Sequence, residues 1–486
     1  MVKITANPLL NVSEIISGTN MRGISIMLVV AACAAGALGA TIGNTTLQDD
    51  AWWGPVSKNG TIDTSIRNFT IEFSDEIIED LRYRLKNHRP FRAPLDGVGF
   101  AYGFNSDHIE EWIQYWAEEY PFAERVEYFN KYPHFVTNIQ GLDIHYIKVT
   151  PQVSDDVEVI PLLLLHGFPG SFLEFYSAIP LLTAVSDDRD FAVEVIIPSL
   201  PGFGYSDATT TPGLGATEMA VVMSNLMKRL GYDYYYVQAG DWGEYIASTM
   251  ATIFPEEVLG HHTNYARSLH PQTLMTWYLG STNPDLVVDP SVASRMYPIT
   301  SVLKFYMQEF GYFHIQAAKP DTIGMALTDT PTGLLAYVLQ LSSTVTRANY
   351  TYSEDGGLEN HFTKAELIDN LMLYWATNSI TTACRIYAET FNLRTYALGV
   401  GSIPSPVPTW TIHAKDELIY QSPALLRFKY PNLVNSTILT TGGHFLAWEL
   451  PEIFSENVLT ALTAFRKIHK NNGTTYSSDV CSLSTF

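Results

Sequence analysis

The sequence is poor in cysteine, in positive charge and in charged residues of either sign. Three cysteines among 486 residues exclude a disulfide-stapled scaffold and any four-cysteine metal site. Lysine and arginine number 29 against 50 aspartates and glutamates, a formal charge of −21, which suits a phosphate backbone badly and argues against nucleic-acid binding. Only 16% of residues are charged, but 46% are hydrophobic and 13% aromatic, so the chain has the apolar content to fold and is not disordered. No internal repeat on the order of 20 to 50 residues is visible. G-x-S-x-G and H-E-x-x-H are both absent, and Gly202-Phe203-Gly204 lacks a third glycine at dinucleotide spacing. Serine hydrolysis is therefore disfavoured, and no metal, nucleotide or other cofactor is called for. The remaining class is a large, aromatic-rich globular protein with an apolar pocket.

Charge is also missing locally. No charged residue occurs between Gly23 and Gln48, and residues 24–38 are almost wholly apolar. A spanning helix needs about 20 apolar residues, and this run is shorter and rich in small side chains. Read from Met21 it has the form of a secretory signal: Arg22, an apolar run, then Ala37-Leu38-Gly39 as a small-x-small cleavage site. Left uncleaved it is an anchor, associating the protein with the membrane and leaving the bulk of the chain on the non-cytoplasmic side. Six N-x-S/T sequons follow, at Asn44, Asn59, Asn68, Asn349, Asn435 and Asn472. Both routes predict passage through the secretory pathway, ending in the endoplasmic reticulum membrane with a lumenal folded part or outside the cell.

Residues 49 to about 140 are aromatic, charged and helical in part. Ser74 is placed to cap a helix with Asp75 and Glu76 in its first turn, Ile77, Ile78, Leu81 and Leu85 as its apolar stripe, and Pro90 beyond its end. From Leu142 the pattern changes to short apolar runs bounded by turn residues, at 144–149, 159–165, 192–197, 234–238, 407–412 and 436–439. Helical stretches at 172–182, 216–230 and 243–253 alternate with them. Near-continuous apolar strands alternating with helices predict an α/β fold whose mostly parallel sheet carries helices on both faces. An aromatic, helical segment at 266–400 interrupts the alternation as an insertion. After about 470 the chain turns polar, as a loose tail does.

In such sheets ligands collect at the carboxyl ends of strands. The run 159–165 leads into His166-Gly167-Phe168-Pro169-Gly170-Ser171, where glycine and proline force a sharp turn with free backbone N–H groups. The run 234–238 leads into Ala239-Gly240-Asp241-Trp242-Gly243, a small-x-nucleophile-x-small elbow with aspartate in place of serine. An aspartate after a strand is also a common helix N-cap, and taken alone Asp241 fits either role. Later, 407–412 leads to Lys415-Asp416-Glu417, and 436–439 leads to Gly442-Gly443-His444. Nucleophile, acid and histidine thus come in the chain order of an α/β-hydrolase triad, each just after a strand.

These pieces resemble the microsomal branch of the epoxide hydrolases, which acts on xenobiotics and juvenile hormone. The resemblance rests on Trp52-Trp53-Gly54-Pro55, Phe135 to Leu142, HGFPGS at 166–171, PGFGYSD at 201–207, GDWG at 240–243, GYFHIQ at 311–316, KPDTIG at 319–324, EDGGLE at 354–359, MLYW at 372–375 and GGHF at 442–445. It spans residues 49 to 468. One departure is Phe168 where that branch usually has tryptophan, a mild change because the backbone N–H is the working group. The resemblance implies the α/β-hydrolase fold with this division: signal or anchor 1–48, N-terminal epoxide-hydrolase domain 49–140, core 141–265, helical lid 266–400, core 401–470 and tail 471–486.

It also implies a reaction, with an apolar epoxide and water as the only partners. Asp241 attacks an epoxide carbon to form an alkyl–enzyme ester, while lid tyrosines Tyr312 and Tyr387 donate to the epoxide oxygen. His444 then activates water to hydrolyse the ester, oriented by Glu417, which fits the family's acid position 27 residues before His444 better than Asp416 does. Phe168 and Trp242 supply oxyanion N–H groups, and His166, Gly167 and Pro169 line the substrate. The rivals are a haloalkane dehalogenase, which shares the aspartate elbow, and a silent α/β-hydrolase relative that only binds.

Overall fold

The computed structural model describes residues 47–55, 63–154 and 157–471. The apolar run at 24–38 and almost all of the expected tail lie outside the described residues. Among the described residues no helix is long and apolar enough to cross a membrane.

Nine strands form one sheet: β1 (Arg67–Phe69), β2 (His134–Ile139), β3 (Leu142–Val149), β4 (Glu158–Leu165), β5 (Phe191–Pro198), β6 (Tyr235–Ala239), β7 (Val258–Thr263), β8 (Thr409–His413) and β9 (Leu433–Ile438). Their order is β1-β2-β3-β5-β4-β6-β7-β8-β9. Pairings from β5 through β9 are parallel, and those joining β1, β2, β3 and β5 are antiparallel. Every residue of β5, β6, β7 and β8 is buried, as expected of parallel strands covered on both faces. This is the α/β-hydrolase fold. Helices Ala216–Arg229 and Asp241–Ile253 pack on one another, and Pro451–Asn471 packs on β7.

Three strands, β1, β2 and β7, fall outside the six apolar runs read from the sequence. β2 and β3 form a hairpin whose turn residues Gln140 and Gly141 both have positive φ (52° and 88°), the condition for a turn that matches strand twist. β1 has only three residues and is too short for a periodic signal. β7 holds His261 and His262 within it, both buried, with His261 Nε2 2.8 Å from Glu244 Oε2 and His262 Nε2 3.0 Å from Asn457 Oδ1.

The helix expected from Ser74 runs Asp75–Lys86; Ser74 Oγ accepts from the Ile77 N–H at 3.3 Å, and Leu81 and Leu85 are fully buried. The helix expected over 172–182 is instead a short 3-10 turn, Phe172–Phe175, followed by Ile179–Leu182. Pro180 has no N–H for a carbonyl four residues back, so one continuous helix cannot form there.

Between β7 and β8 the chain runs through helices Pro271–Gly280, Ile299–Glu309, Gly311–Ala318, Pro320–Asp329, Pro331–Thr346, Lys364–Thr377 and Ile380–Thr390. A buried ion pair ties this insertion to the segment before the hairpin: Asp369 accepts from Tyr120 Oη at 2.7 Å and from Arg125 Nε at 2.9 Å. The insertion is thereby fixed over the carboxyl ends of the strands.

Candidate active site

β6 ends at Ala239. Gly240 is extended, and Asp241 turns the chain with φ +47° into helix Asp241–Ile253. A left-handed aspartate is uncommon and strained, and it persists here because the strand and the helix both hold it. The elbow requires its glycine: a Cβ on Gly243 would lie 2.2 Å from the Leu165 carbonyl oxygen, so strand β4 and the helix meet only there without a side chain. Asp241 is not the helix cap. The N-cap is Gly240, and the carboxylate points elsewhere.

It points between two loops. Asp241 Oδ1 accepts from the Phe168 N–H at 2.8 Å, and Oδ2 lies 3.2 Å from His444 Nε2. Trp242 follows in the first helical turn, where N–H groups have no carbonyl partner within the helix. One backbone donor, from the β4 loop, thus holds the carboxylate, and the Trp242 N–H opens the helix beside it.

The β4 loop places its other members differently from expectation. His166 does not reach a substrate: its ring is fully buried, Nε2 accepts from the Leu200 N–H at 3.1 Å, and Nδ1 is 3.2 Å from the Gly167 carbonyl. Burial lowers its pKa to about 4, so it is a neutral brace for the loop. Gly167 lies against the nucleophile, since a Cβ there would come within 2.2 Å of Asp241 Oδ1. The Pro169 carbonyl accepts from the Asn370 carboxamide, linking this loop to the insertion.

His444 reaches the site on the loop after β9. Its Nδ1 is 2.7 Å from Glu417 Oε1, on the loop after β8, and its N–H donates to the Val345 carbonyl at 2.9 Å. Both side chains are removed from solvent, Glu417 at 0% and His444 at 2% exposure, with Asp241 at 15%. Burial opposes charge on the imidazole, but Glu417 and Asp241 together outweigh it and raise the ring to about 10. At neutral pH the resting site therefore holds an imidazolium between two carboxylates. Asp416 is not part of this set; it faces Arg347 Nε at 3.4 Å.

Tyr312, on helix Gly311–Ala318, and Tyr387, on Ile380–Thr390, converge from the insertion with ring centroids 6.2 Å apart. Tyr387 packs edge-on against Trp242 at 4.5 Å and Phe168 at 5.7 Å. Burial pushes both phenols above their ordinary range, and the negative charge of Asp241 adds to it. Both remain protonated donors across the neutral range.

Several neighbours escaped sequence reasoning. Asn264 donates to the His444 carbonyl at 3.1 Å and accepts from Gln238 at 2.9 Å; it follows β7, so recognising that strand would have placed it at the same sheet edge. The Tyr265 ring stands perpendicular to His444 at 5.0 Å. Glu449 accepts from the Gly443 N–H at 2.7 Å and is itself held by Arg347, which fixes the histidine loop. Glu174, buried one turn after the β4 loop, carried no spacing signal. Among the described residues no group of three or more histidine, cysteine, aspartate or glutamate side chains could hold a metal ion.

The chain matches the family described as Epoxide hydrolase N terminus over residues 66–175 and that described as alpha/beta hydrolase fold over residues 160–294. It is 54% identical over 419 residues to the juvenile hormone epoxide hydrolase of Bombyx mori, covering 86% of this chain and 91% of that one. Epoxide hydrolase 1 of Sus scrofa is 40% identical over 429 residues, covering 85% and 92%. The crystal structure of the silkworm juvenile hormone epoxide hydrolase superposes with a TM-score of 0.86 at 55% identity, covering 87% of this chain and all of that one.

Proposed function

The chain belongs to the epoxide hydrolases and is an epoxide hydrolase, and on that premise we propose that it opens the ring in two covalent steps centred on Asp241. The observation that carries this reading is the carboxylate itself. It is held by the Phe168 N–H on one oxygen, by His444 on the other, and it lies within electrostatic reach of two protonated phenols.

In the first step Asp241 attacks an epoxide carbon and the C–O bond breaks. Tyr312 and Tyr387 donate to the departing oxygen, which takes up a proton as the alcohol of the ester. The His444 imidazolium returns a proton to the phenols and becomes neutral. Esterification also removes the Asp241 charge that helped to raise His444, so the ring is released to act as a base when it is needed.

In the second step neutral His444 takes a proton from water as the water oxygen bonds to Asp241 Cγ. Glu417 orients the ring and stabilises its charge. The N–H groups of Phe168 and Trp242 hold the oxyanion, each such donor typically contributing about 3 kcal/mol. Collapse expels the alkoxide, which takes the proton from His444. The regenerated carboxylic acid of Asp241 gives its proton back to the ring.

The aromatic surroundings, Tyr312, Phe313, Tyr387 and Phe391 facing Trp242 and Tyr245, favour a bulky apolar epoxide. Juvenile hormone, named for the Bombyx mori relative, is the first candidate. Purified protein is incubated with styrene oxide, an aliphatic epoxide, juvenile hormone and a chloroalkane. Diol from the epoxides with wild type, and none with Asp241→Ala, supports the reading. Halide release alone points to the dehalogenase class, and oxygen-18 from labelled water that never enters Asp241 rules out the ester.

We also place the protein in the secretory pathway, retained at the membrane or released. The apolar run at 24–38 supports this, as do the exposed sequon asparagines Asn68, Asn349 and Asn435. Expression in insect cells followed by endoglycosidase digestion tests it; an unchanged electrophoretic mobility counts against the assignment.

A further inference from the structure

Glu174 sits in the 3-10 turn Phe172–Phe175, whose cap is Ser171 at the end of the oxyanion loop. Its side chain turns back toward that loop: a Cβ on Gly170 would lie 2.8 Å from Glu174 Oε2, so glycine there makes room for the carboxyl group. The residue is 7% exposed, and Oε2 has no hydrogen-bond partner among the described residues. Glu417 also leaves Oε2 unpartnered, but its Oε1 holds His444, and three other buried carboxylates are matched. Glu244 has His261 and Tyr430, Glu449 has Arg347 and the Gly443 N–H, and Asp369 has Arg125 and Tyr120. Leaving a buried carboxyl oxygen unpartnered is costly, and such an atom calls for an explanation.

The explanation lies in what Glu174 faces. A cavity of about 10 Å³ is bounded by Glu174, Asp241, Asn264 and His444, with Phe445 and Leu446 closing it. That is about the space one water needs, and the wall carries polar groups to hold it. The cavity touches the nucleophile and the base together. Burial pushes the Glu174 carboxyl well above its usual range, which disfavours a third negative charge beside Asp241 and Glu417. A carboxyl group offers an acceptor oxygen whether or not it is protonated.

We propose that Glu174 positions the hydrolytic water, accepting one of its hydrogens at Oε2 while His444 Nε2 takes the other. This rests on the ester reading above and deepens it. In the step itself the water O–H bond directed at His444 breaks and its proton passes to Nε2. The water oxygen bonds to Asp241 Cγ, and the second hydrogen stays on that oxygen. Glu174 exchanges no proton. It acts by orientation, so it affects ester hydrolysis and leaves ring opening alone.

The test is rapid mixing with styrene oxide, acid quench and intact-mass detection of the alkyl–enzyme. Glu174→Leu removes the acceptor at similar size. It is expected to form the adduct at the wild-type rate and in full amount, which also shows that it is folded, and to hydrolyse it about 100-fold more slowly. In steady state kcat and KM then fall together and kcat/KM stays constant. Glu174→Gln keeps an acceptor oxygen and retains hydrolysis within about tenfold. Where the leucine variant does not fold, Glu174→Asp, which withdraws the oxygen by one methylene, gives the same pattern in milder form. Unchanged hydrolysis in these variants, or equal slowing of adduct formation, overturns the proposal. His444→Gln in the same assay reports on the ester: an adduct there with unchanged Glu174 variants sinks only this proposal, whereas no adduct there and no oxygen-18 from labelled water in wild-type Asp241 sink both.

Discussion

His444 Nδ1 lies 2.7 Å from Glu417 Oε1, while Asp416, the adjacent residue, turns to Arg347 Nε at 3.4 Å. Neighbouring carboxylates on one loop therefore do different work, one orienting an imidazole and the other bracing the loop from outside. Glu417→Gln leaves the shape intact but removes the charge that stabilises the imidazolium. Ester hydrolysis is expected to fall by about 10³- to 10⁴-fold. Asp416→Asn removes a partly exposed ion pair and changes the rate by no more than a few-fold. Single-turnover kinetics with both variants decide the matter, and the opposite ranking reverses the assignment.

The same imidazole makes stability depend on pH. His444 stands at about 10 in the folded resting state, against about 6.5 in an unfolded chain. The folded state binds more protons between those values, so the contribution of this site is complete below about pH 6.5 and disappears as pH rises through about 10. His444→Gln lacks it. The Tm difference between wild type and His444→Gln should therefore narrow steadily from about pH 7 to about pH 10. A gap that widens over that range contradicts the coupling.

Kinetics should report a lower value than the resting one. Two anions flank the ring before reaction, and only Glu417 remains charged once Asp241 is an ester. Hydrolysis of preformed ester should rise with pH and level off with a midpoint well under 10, because only the neutral ring accepts the water proton. A midpoint at 10 or above would mean that the Asp241 charge plays no part in setting His444.

Backbone contact at the elbow makes a stability prediction that is independent of chemistry. A Cβ on Gly243 meets the Leu165 carbonyl oxygen at 2.2 Å, and both groups are backbone with no rotamer to yield. Gly243→Ala should cost about 2–3 kcal/mol or more, measured by urea unfolding. Gly311→Ala is the control, since nothing lies within 4 Å of its added methyl group, and it should be neutral or mildly stabilising.

How much of this was legible beforehand depends on whether a feature is local. Asp241 and the acid and histidine loops were readable because each follows an apolar strand, and the flanking glycines announce a sharp turn. The choice between Glu417 and Asp416 turned on side-chain direction; only resemblance spoke to it, and the two loops after β8 and β9 show it in space. His166 sat in the right motif, yet its ring packs inward on Leu200, a contact 34 residues away that no spacing rule covers. Glu174 and Asn264 were missed for the same reason. Their meaning comes from the small cavity they share with Asp241 and His444, assembled from four separate strand ends.

The two phenols supply the last prediction. Tyr387 is wedged against Trp242 and Phe168, and its hydroxyl interacts with the Trp242 side chain. Phenylalanine fills the same space, so Tyr387→Phe removes a donor and little packing. Tyr312 is partly buried and stands edge-on to Tyr387, so Tyr312→Phe is equally conservative. The epoxide oxygen gains charge only as its ring opens, and a donor aimed at it acts on that step alone. Each single variant should lower kcat/KM by about 10²-fold, and the double variant by more. Hydrolysis of ester already formed should stay near the wild-type rate if, as proposed, the Phe168 and Trp242 N–H groups and not the phenols hold the tetrahedral oxyanion. If stopped-flow measurements find hydrolysis slowed and alkylation intact, the tyrosines serve the second step and the division of labour drawn here is wrong.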